Sequence, residues 1–213
     1  MNFFVDMCIV IFYSDKTSKE YSKVIQIINK KQEEKIIICY YILDENLPRW
    51  IQRQRVILEE VVKKIKYPVY EMGNSERAKI TLFPNDITRA KKLLAIYSLS
   101  NKKEEFYRLL VKNQIDMFQR INFFLRKVVD KKVVPINSIK FELKSAIFSI
   151  INNHSDALTL ASGIQYHKEE KIILLTADKK DWTKDNLEWA LPEHSQLRKE
   201  YLNLPEIKYI QDN

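Results

Sequence analysis

Glycine is almost missing from this chain: Gly73 and Gly163 are the only two in 213 residues. Phosphate-cradling loops need several closely spaced glycines, so neither a Walker loop nor a dinucleotide fingerprint is present, and nucleotide-driven chemistry of those kinds is excluded. Cysteine is equally scarce. Cys8 and Cys39 form no C-x-x-C pair, zinc pattern or disulfide framework, and both fall in segments expected to be buried strands. Cysteines there act as small hydrophobes, which points to a reducing compartment. The apolar opening MNFFVDMCIVIFY carries Asp6 and lacks a basic leader and a cleavage site. It is also too short to span a bilayer, so a cytoplasmic chain with no membrane partner is expected. No Ser/His/Asp or Cys/His arrangement, internal repeat or low-complexity linker is found.

What is present is a 46% apolar composition, enough for one good core. Lysine and arginine exceed aspartate and glutamate by 8. Such a balance favours a polyanionic partner, nucleic acid above all, although a lysine-rich solvated surface gives the same count.

The pattern alternates strands and helices. Phe3–Phe12 reads as a first strand interrupted by Asp6, and 14–31 as a helix. Lys35–Leu43 (KIIICYYIL) reads as a second buried strand running into Asp44-Glu45. Pro48 opens a long basic helix to Lys66, whose Arg49, Arg53, Arg55, Lys63, Lys64 and Lys66 could guide a phosphate backbone. Residues 67–86 are hard to read, with a short strand expected at Ala78–Phe83. Helices are expected at 86–98, 102–131 and 138–152. Ser155–Asp185 then gives a helix opened by Asp156 and closed around Gly163–Lys168, followed by the apolar strand Ile172–Leu175, which ends in Thr-Ala-Asp. A short helix near 194–201 and a strand at 207–210 finish the chain. This order predicts a three-layer α/β/α domain around a mainly parallel sheet.

Four carboxylates end or interrupt buried elements at one edge of that sheet: Asp6, Glu45, Asp156 and Asp178, with Asp181 as a fifth candidate. A charge inside FFVDMCIVIF is costly unless it is paired or binds a metal. Carboxylates gathered without a cation repel, and one takes up a proton. An all-oxygen set suits Mg2+ or Mn2+, which can polarise a phosphoryl oxygen and activate water. Taken singly, Asp156 is also an ordinary first-turn acid, Asp178 an ordinary turn former and Glu45 an ordinary loop acid. His154, His167 and His194 have no metal spacing.

Strand–Asp6, helix, strand–Glu45, then SDALTLASG and ILLTADKKDW together resemble the PIN domain, the fold of VapC-type toxins and related ribonucleases. The resemblance covers about residues 1–60 and 136–213. It implies a single PIN-like domain over 1–213, with a helical insertion at about 67–135 that compact toxins lack. It further implies that Asp6, Glu45, Asp156 and Asp178 bind Mg2+ or Mn2+, with Asp181 as an outer ligand and Thr176 orienting the cluster by a side-chain hydrogen bond. Asp44 and Glu142 are rivals for the role of Glu45. The implied reaction is metal-dependent cleavage of RNA, and the implied partner is an antitoxin protein. Such nucleases often pair as homodimers, which no feature of this sequence announces. Two other readings stay open: a PIN-like module that binds RNA or protein without cutting, and a phosphatase. The phosphatase usually needs a second Asp two residues after the first, where this chain has Cys8.

Overall fold

Five short strands form one parallel sheet: β1 Asn2–Val5, β2 Ile36–Cys39, β3 Lys132–Val134, β4 Ile172–Thr176 and β5 Glu206–Tyr209. The computed structural model describes residues 2–29, 35–99, 102–129 and 132–212. The strand order is β3-β2-β1-β4-β5, with Phe4 level with Ile37 on one side and Leu174 on the other. All of β2 and β4 is buried, which is why both read as unbroken apolar runs. The helices, in chain order, are α1 Met7–Ser14, α2 Tyr21–Asn29, α3 Leu47–Lys66, α4 Glu76–Thr81, α5 Pro84–Leu99, α6 Lys103–Val129, α7 Phe141–Phe148, α8 His154–Glu169, α9 Lys184–Ala190 and α10 Gln196–Glu200. The architecture is the three-layer α/β/α fold expected from the alternation. None of the described helices is long and apolar enough to cross a membrane.

The chain divides into two compact units, 1–46 with 117–213, and 47–116. The first holds the sheet. Successive strands step outward from β1 to β2 and β3, and then the chain returns to place β4 and β5 on the other side of β1. The order therefore reverses between β1 and β4, and in open α/β sheets the crevice beyond the strand ends at such a point is where ligands bind. Helix α8 leads straight into β4, so its N-terminus lies at the carboxyl edge of the sheet. Gly163 lets α8 approach closely: a Cβ there would come within 2.6 Å of Leu174 Cδ2 and 3.1 Å of Phe4 Cδ1. Cys39 and Ser162 are bonded at 2.9 Å and tie β2 to the same helix.

The second unit consists of helices and the loops between them among its described residues. Ile57, Val61 and Ala90 form its core, with Ile65, Met72, Leu82, Leu93 and Leu110 packed around them. Glu60 is fully buried there, yet it accepts hydrogen bonds from Tyr70 Oη, the Gly73 amide and Ser75 Oγ at 2.7 Å each, and Lys63 Nζ lies 3.3 Å away. These bonds stitch the 67–75 loop to α3. Gly73, at φ +93°, takes the left-handed turn the loop needs.

Several expectations are corrected. The first strand stops at Val5, because Asp6 caps α1 and accepts from the Met7 amide. Cys8 therefore sits in a helix, and the β-branched run that follows is helical because tertiary packing overrides propensity. Strand β2 ends at Cys39, and Ile42–Asn46 forms a π-helical turn. In place of a strand at 78–83 there is α4, capped by the Ser75 hydroxyl, which accepts from the Ala78 amide. Helix α8 continues through Gly163 to Glu169. The helix expected at 138–152 is a 3-10 turn at Ile136–Ser138 followed by α7. Strand β3 and helix α9 were not foreseen, and the far ends of two expected helices, at Lys31 and Lys131, lie outside the described residues.

Candidate metal centre

Three strand and helix ends meet at the β1–β4 reversal. Asp6 leaves β1 in extended conformation, and its amide donates to Leu175 O at 3.1 Å, one rung beyond the β1–β4 ladder. Its carboxylate is buried and accepts from the Met7 amide, from Cys8 Sγ at 3.0 Å and from Thr176 Oγ1 at 3.0 Å. Burial pushes the Asp6 carboxyl up from its usual range and the Asp178 charge adds to this, while the three hydrogen bonds pull against it. Burial, and then the Asp6 charge, drive the Cys8 thiol well above its ordinary value, so Cys8 stays a neutral donor.

Thr176 joins the two strand ends. Its hydroxyl donates to Asp6 and accepts from the Asp178 amide at 2.9 Å. Asp178 Oδ1 then accepts from the amides of Lys180 at 2.8 Å and Asp181 at 3.0 Å, a turn in which the aspartate side chain imitates backbone. That turn folds Asp181 back beside Asp178. It is fixed from outside by Asn186, whose amide donates to the carbonyls of Lys180 and Asp181. Beneath it, Trp182 is fully buried, and its carbonyl accepts from Tyr209 Oη at 2.7 Å.

The third contributor is α8. Asn153 caps the helix by accepting from the Ser155 amide, which places Asp156 at the third helical position, in the first turn. Carboxylate oxygens of Asp156, Asp178 and Asp181 all lie within 4.8 Å of one another, and all three residues are half-buried. Burial, and then the charges of Asp6, Asp178 and Asp181, push the Asp156 carboxyl up to about 7. Among the described residues, no lysine or arginine pairs with any of the four aspartates. A cluster of hard oxygen donors with unrelieved repulsion fits a divalent cation such as Mg2+ or Mn2+.

The structure thus brings Asp6, Asp156, Asp178 and Asp181 together. Asp181 stands in the same close group as Asp156 and Asp178, and Asp6 lies behind them. Glu45 is half-buried on the π-helical turn and is not one of the three grouped carboxylates. The neighbouring Asn46 amide donates to Ser155 Oγ and so draws that turn toward the first turn of α8. Asp44, on the same turn, is exposed. Glu142 opens α7, also exposed, and its charge acts on Tyr201, whose hydroxyl donates to Gln165. His154 packs its ring 4.8 Å from that of Phe148 and edge-on to Tyr41. The support that Cys8 gives Asp6 has no signal in the sequence pattern, because the bond depends on α1 starting at Met7 where a continuing strand is expected.

No family model matches the chain, and no curated protein matches it in sequence. Among solved structures it is similar to the crystal structure of VapBC2 from Rickettsia felis bound to a DNA fragment from their promoter. The identity is 12%, the match covers 98% of each chain, and the TM-score is 0.39.

Proposed function

We propose that this chain is a Mg2+- or Mn2+-dependent endoribonuclease that hydrolyses RNA phosphodiester bonds at the aspartate cluster. The observation that carries the proposal is the grouping of Asp156, Asp178 and Asp181 within 4.8 Å, backed by buried Asp6, with no basic partner among the described residues. Nothing in ordinary folding energetics favours such a group, whereas a divalent cation relieves it. Asp156, Asp178 and Asp181 would hold the ion, Asp6 would add charge from behind, and Glu45 is the further carboxylate nearest in sequence to the Asn46–Ser155 contact. When bound, the ion would polarise a phosphoryl oxygen and lower the pKa of a water molecule.

The chain's own residues set the geometry. Thr176 fixes Asp6 and Asp178 relative to each other, and the neutral Cys8 thiol holds one Asp6 oxygen in place. The first turn of α8 presents backbone N–H groups at the same edge, a setting that favours an anionic phosphate. The net charge of +8 supplies long-range attraction for RNA.

The test is cleavage of total RNA in Mn2+, Mg2+ or EDTA by the wild type, Asp6→Asn and Asp178→Asn. Metal-dependent products that disappear in both variants are expected. Full activity in either variant would remove the aspartates from the mechanism. The motif resemblance extends the proposal to a toxin restrained by an antitoxin protein. Induction of this chain alone is then expected to arrest growth, and unimpaired growth of strongly expressing cells contradicts that extension.

A further inference from the structure

The positive charge of the chain is not evenly spread. Residues 47–116 hold fifteen lysines and arginines against eight aspartates and glutamates, a balance of +7, while the rest of the chain is within one charge of neutral. Some of these cations are committed inside the unit: Arg77 pairs with Glu59 at 2.9 Å, and Arg53 lies over the Phe83 ring. Lys91 and Lys92 on α5, and Arg108 and Lys112 on α6, are exposed and have no ion pair with any described residue.

Their placement follows from the packing of the two helices. Tyr97 meets Phe106 and Tyr107 with ring centroids 5.2 and 5.9 Å apart, and Leu110 reaches the Ala90 cluster. The helices therefore run antiparallel. Lys92 and Lys112 each lie five residues from the Tyr97–Tyr107 contact, about 8 Å along their helices at 1.5 Å per residue. Arg108 stands one turn from Lys112, at the separation that makes i and i+4 side chains neighbours. Lys91, Lys92 and Lys112 thus lie at about one level of the helix pair, with Arg108 one turn away along α6. A flat anionic bilayer would also meet Glu104 and Glu105 in the first turn of α6, whereas a flexible strand can follow the cations past them.

We infer that 47–116 carries the polyanion-binding surface of this protein, with Lys91, Lys92, Arg108 and Lys112 contacting the phosphates of single-stranded RNA. The choice of RNA rests on the proposed nuclease reading; the electrostatic attraction does not. Binding is measured on the full chain by fluorescence anisotropy of a fluorescein-labelled 20-nucleotide mixed-sequence RNA, from 50 to 300 mM KCl in EDTA. EDTA separates binding from cutting, so loss of cleavage in Asp178→Asn with RNA binding retained overturns nothing here.

The quadruple variant K91E/K92E/R108E/K112E is expected to bind at least about 1,000-fold more weakly at 50 mM salt, with the log–log salt slope flattened by about 3, at about 0.7 per lost phosphate contact. The matching neutral set K91Q/K92Q/R108Q/K112Q, which places no new charge on the helices, is expected to show the same flattening and guards against a folding defect. The control K16E/K19E/K171E/K199E changes net charge equally, from exposed lysines of the other unit, and is expected to stay within about threefold of wild type. Equal weakening by both glutamate quadruples, or no weakening by either, overturns the inference. So does a wild type that fails to bind the RNA at 50 mM salt, or a test quadruple that loses binding to phosphatidylserine vesicles while keeping RNA.

Discussion

Replacing Asp156 by asparagine removes one charge from the cluster and leaves the shape of the side chain almost unchanged. An ordinary structural aspartate would lose stability on this change; a carboxylate held against its neighbours gains it. The Asp156 carboxyl stands at about 7 in the folded chain against 3.8 for an isolated group. Such a displacement corresponds to a ceiling of about 4 kcal/mol. Asp156 is only half-buried, and solvent screening reduces that ceiling to about 1–2 kcal/mol. The dipole of α8 favours a first-turn carboxylate by about 0.3–1 kcal/mol and opposes the gain. The net expectation for Asp156→Asn in EDTA at pH 8 is a stabilisation of about 1 kcal/mol, or about 2–4 °C in Tm for a chain of this size.

The sign with pH is fixed by the raised folded-state value. The folded protein binds the proton more tightly than the unfolded chain, so the penalty is complete above pH 7. It shrinks as pH falls through 7 and vanishes below the ordinary carboxylate range, and the advantage of Asp156→Asn vanishes with it. Millimolar Mn2+ is expected to raise the Tm of the wild type and leave the variant unmoved, because a ligand stabilises only the state that binds it. Differential scanning calorimetry of both proteins at pH 8 and pH 5, with EDTA and with Mn2+, checks all four arms. A variant less stable than wild type in EDTA at pH 8 refutes the reasoning, since the carboxylate would then be serving the fold.

Two other predictions concern the supports. Thr176→Val removes the donor to Asp6 and the acceptor for the Asp178 amide, and leaves buried polar groups unpaired; a loss of about 1–3 kcal/mol is expected in urea titration, together with loss of cleavage, and a neutral effect on both contradicts the role given to Thr176. Burial alone would raise Glu60, but its bonds from Gly73, Tyr70, Ser75 and Lys63 outweigh that and hold its carboxyl below the ordinary 4.5. The contribution of Glu60 is therefore complete above pH 4.5 and is lost as pH falls through the depressed value. Glu60→Gln should destabilise the protein by about 1–3 kcal/mol at pH 7, with the gap to wild type narrowing below pH 4.5 in acid titration; a pH-independent gap contradicts this.

The layers of the fold were legible because burial on both faces writes itself as unbroken runs such as Ile36–Cys39 and Ile172–Thr176. Asp6 was legible for the opposite reason, as a charge where an apolar run should continue. Asp178 and Thr176 stood out at the end of such a run. Local capping was hidden: the reading that carried a strand through Phe12 had no way to weigh one Asp6–Met7 bond against a β-branched run. Strand β3 has three residues and is specified by pairing with β2, a contact about 95 residues away in sequence, so no local pattern marks it. The return of Asp181 to Asp178 depends on an aspartate side chain bonding two backbone amides, which spacing suggests only once Asp178 is known to end a strand.

The central claim, that the aspartates form a metal centre, is met most directly by isothermal titration of Mn2+ into the metal-free chain at pH 7.5, beside Asp156→Asn and Asp178→Asn. Saturable binding by the wild type, weakened at least about tenfold in each variant and accompanied by proton release from the Asp156 carboxyl, is the predicted result. Equal Mn2+ binding by all three proteins, or none by a folded wild type, contradicts the account.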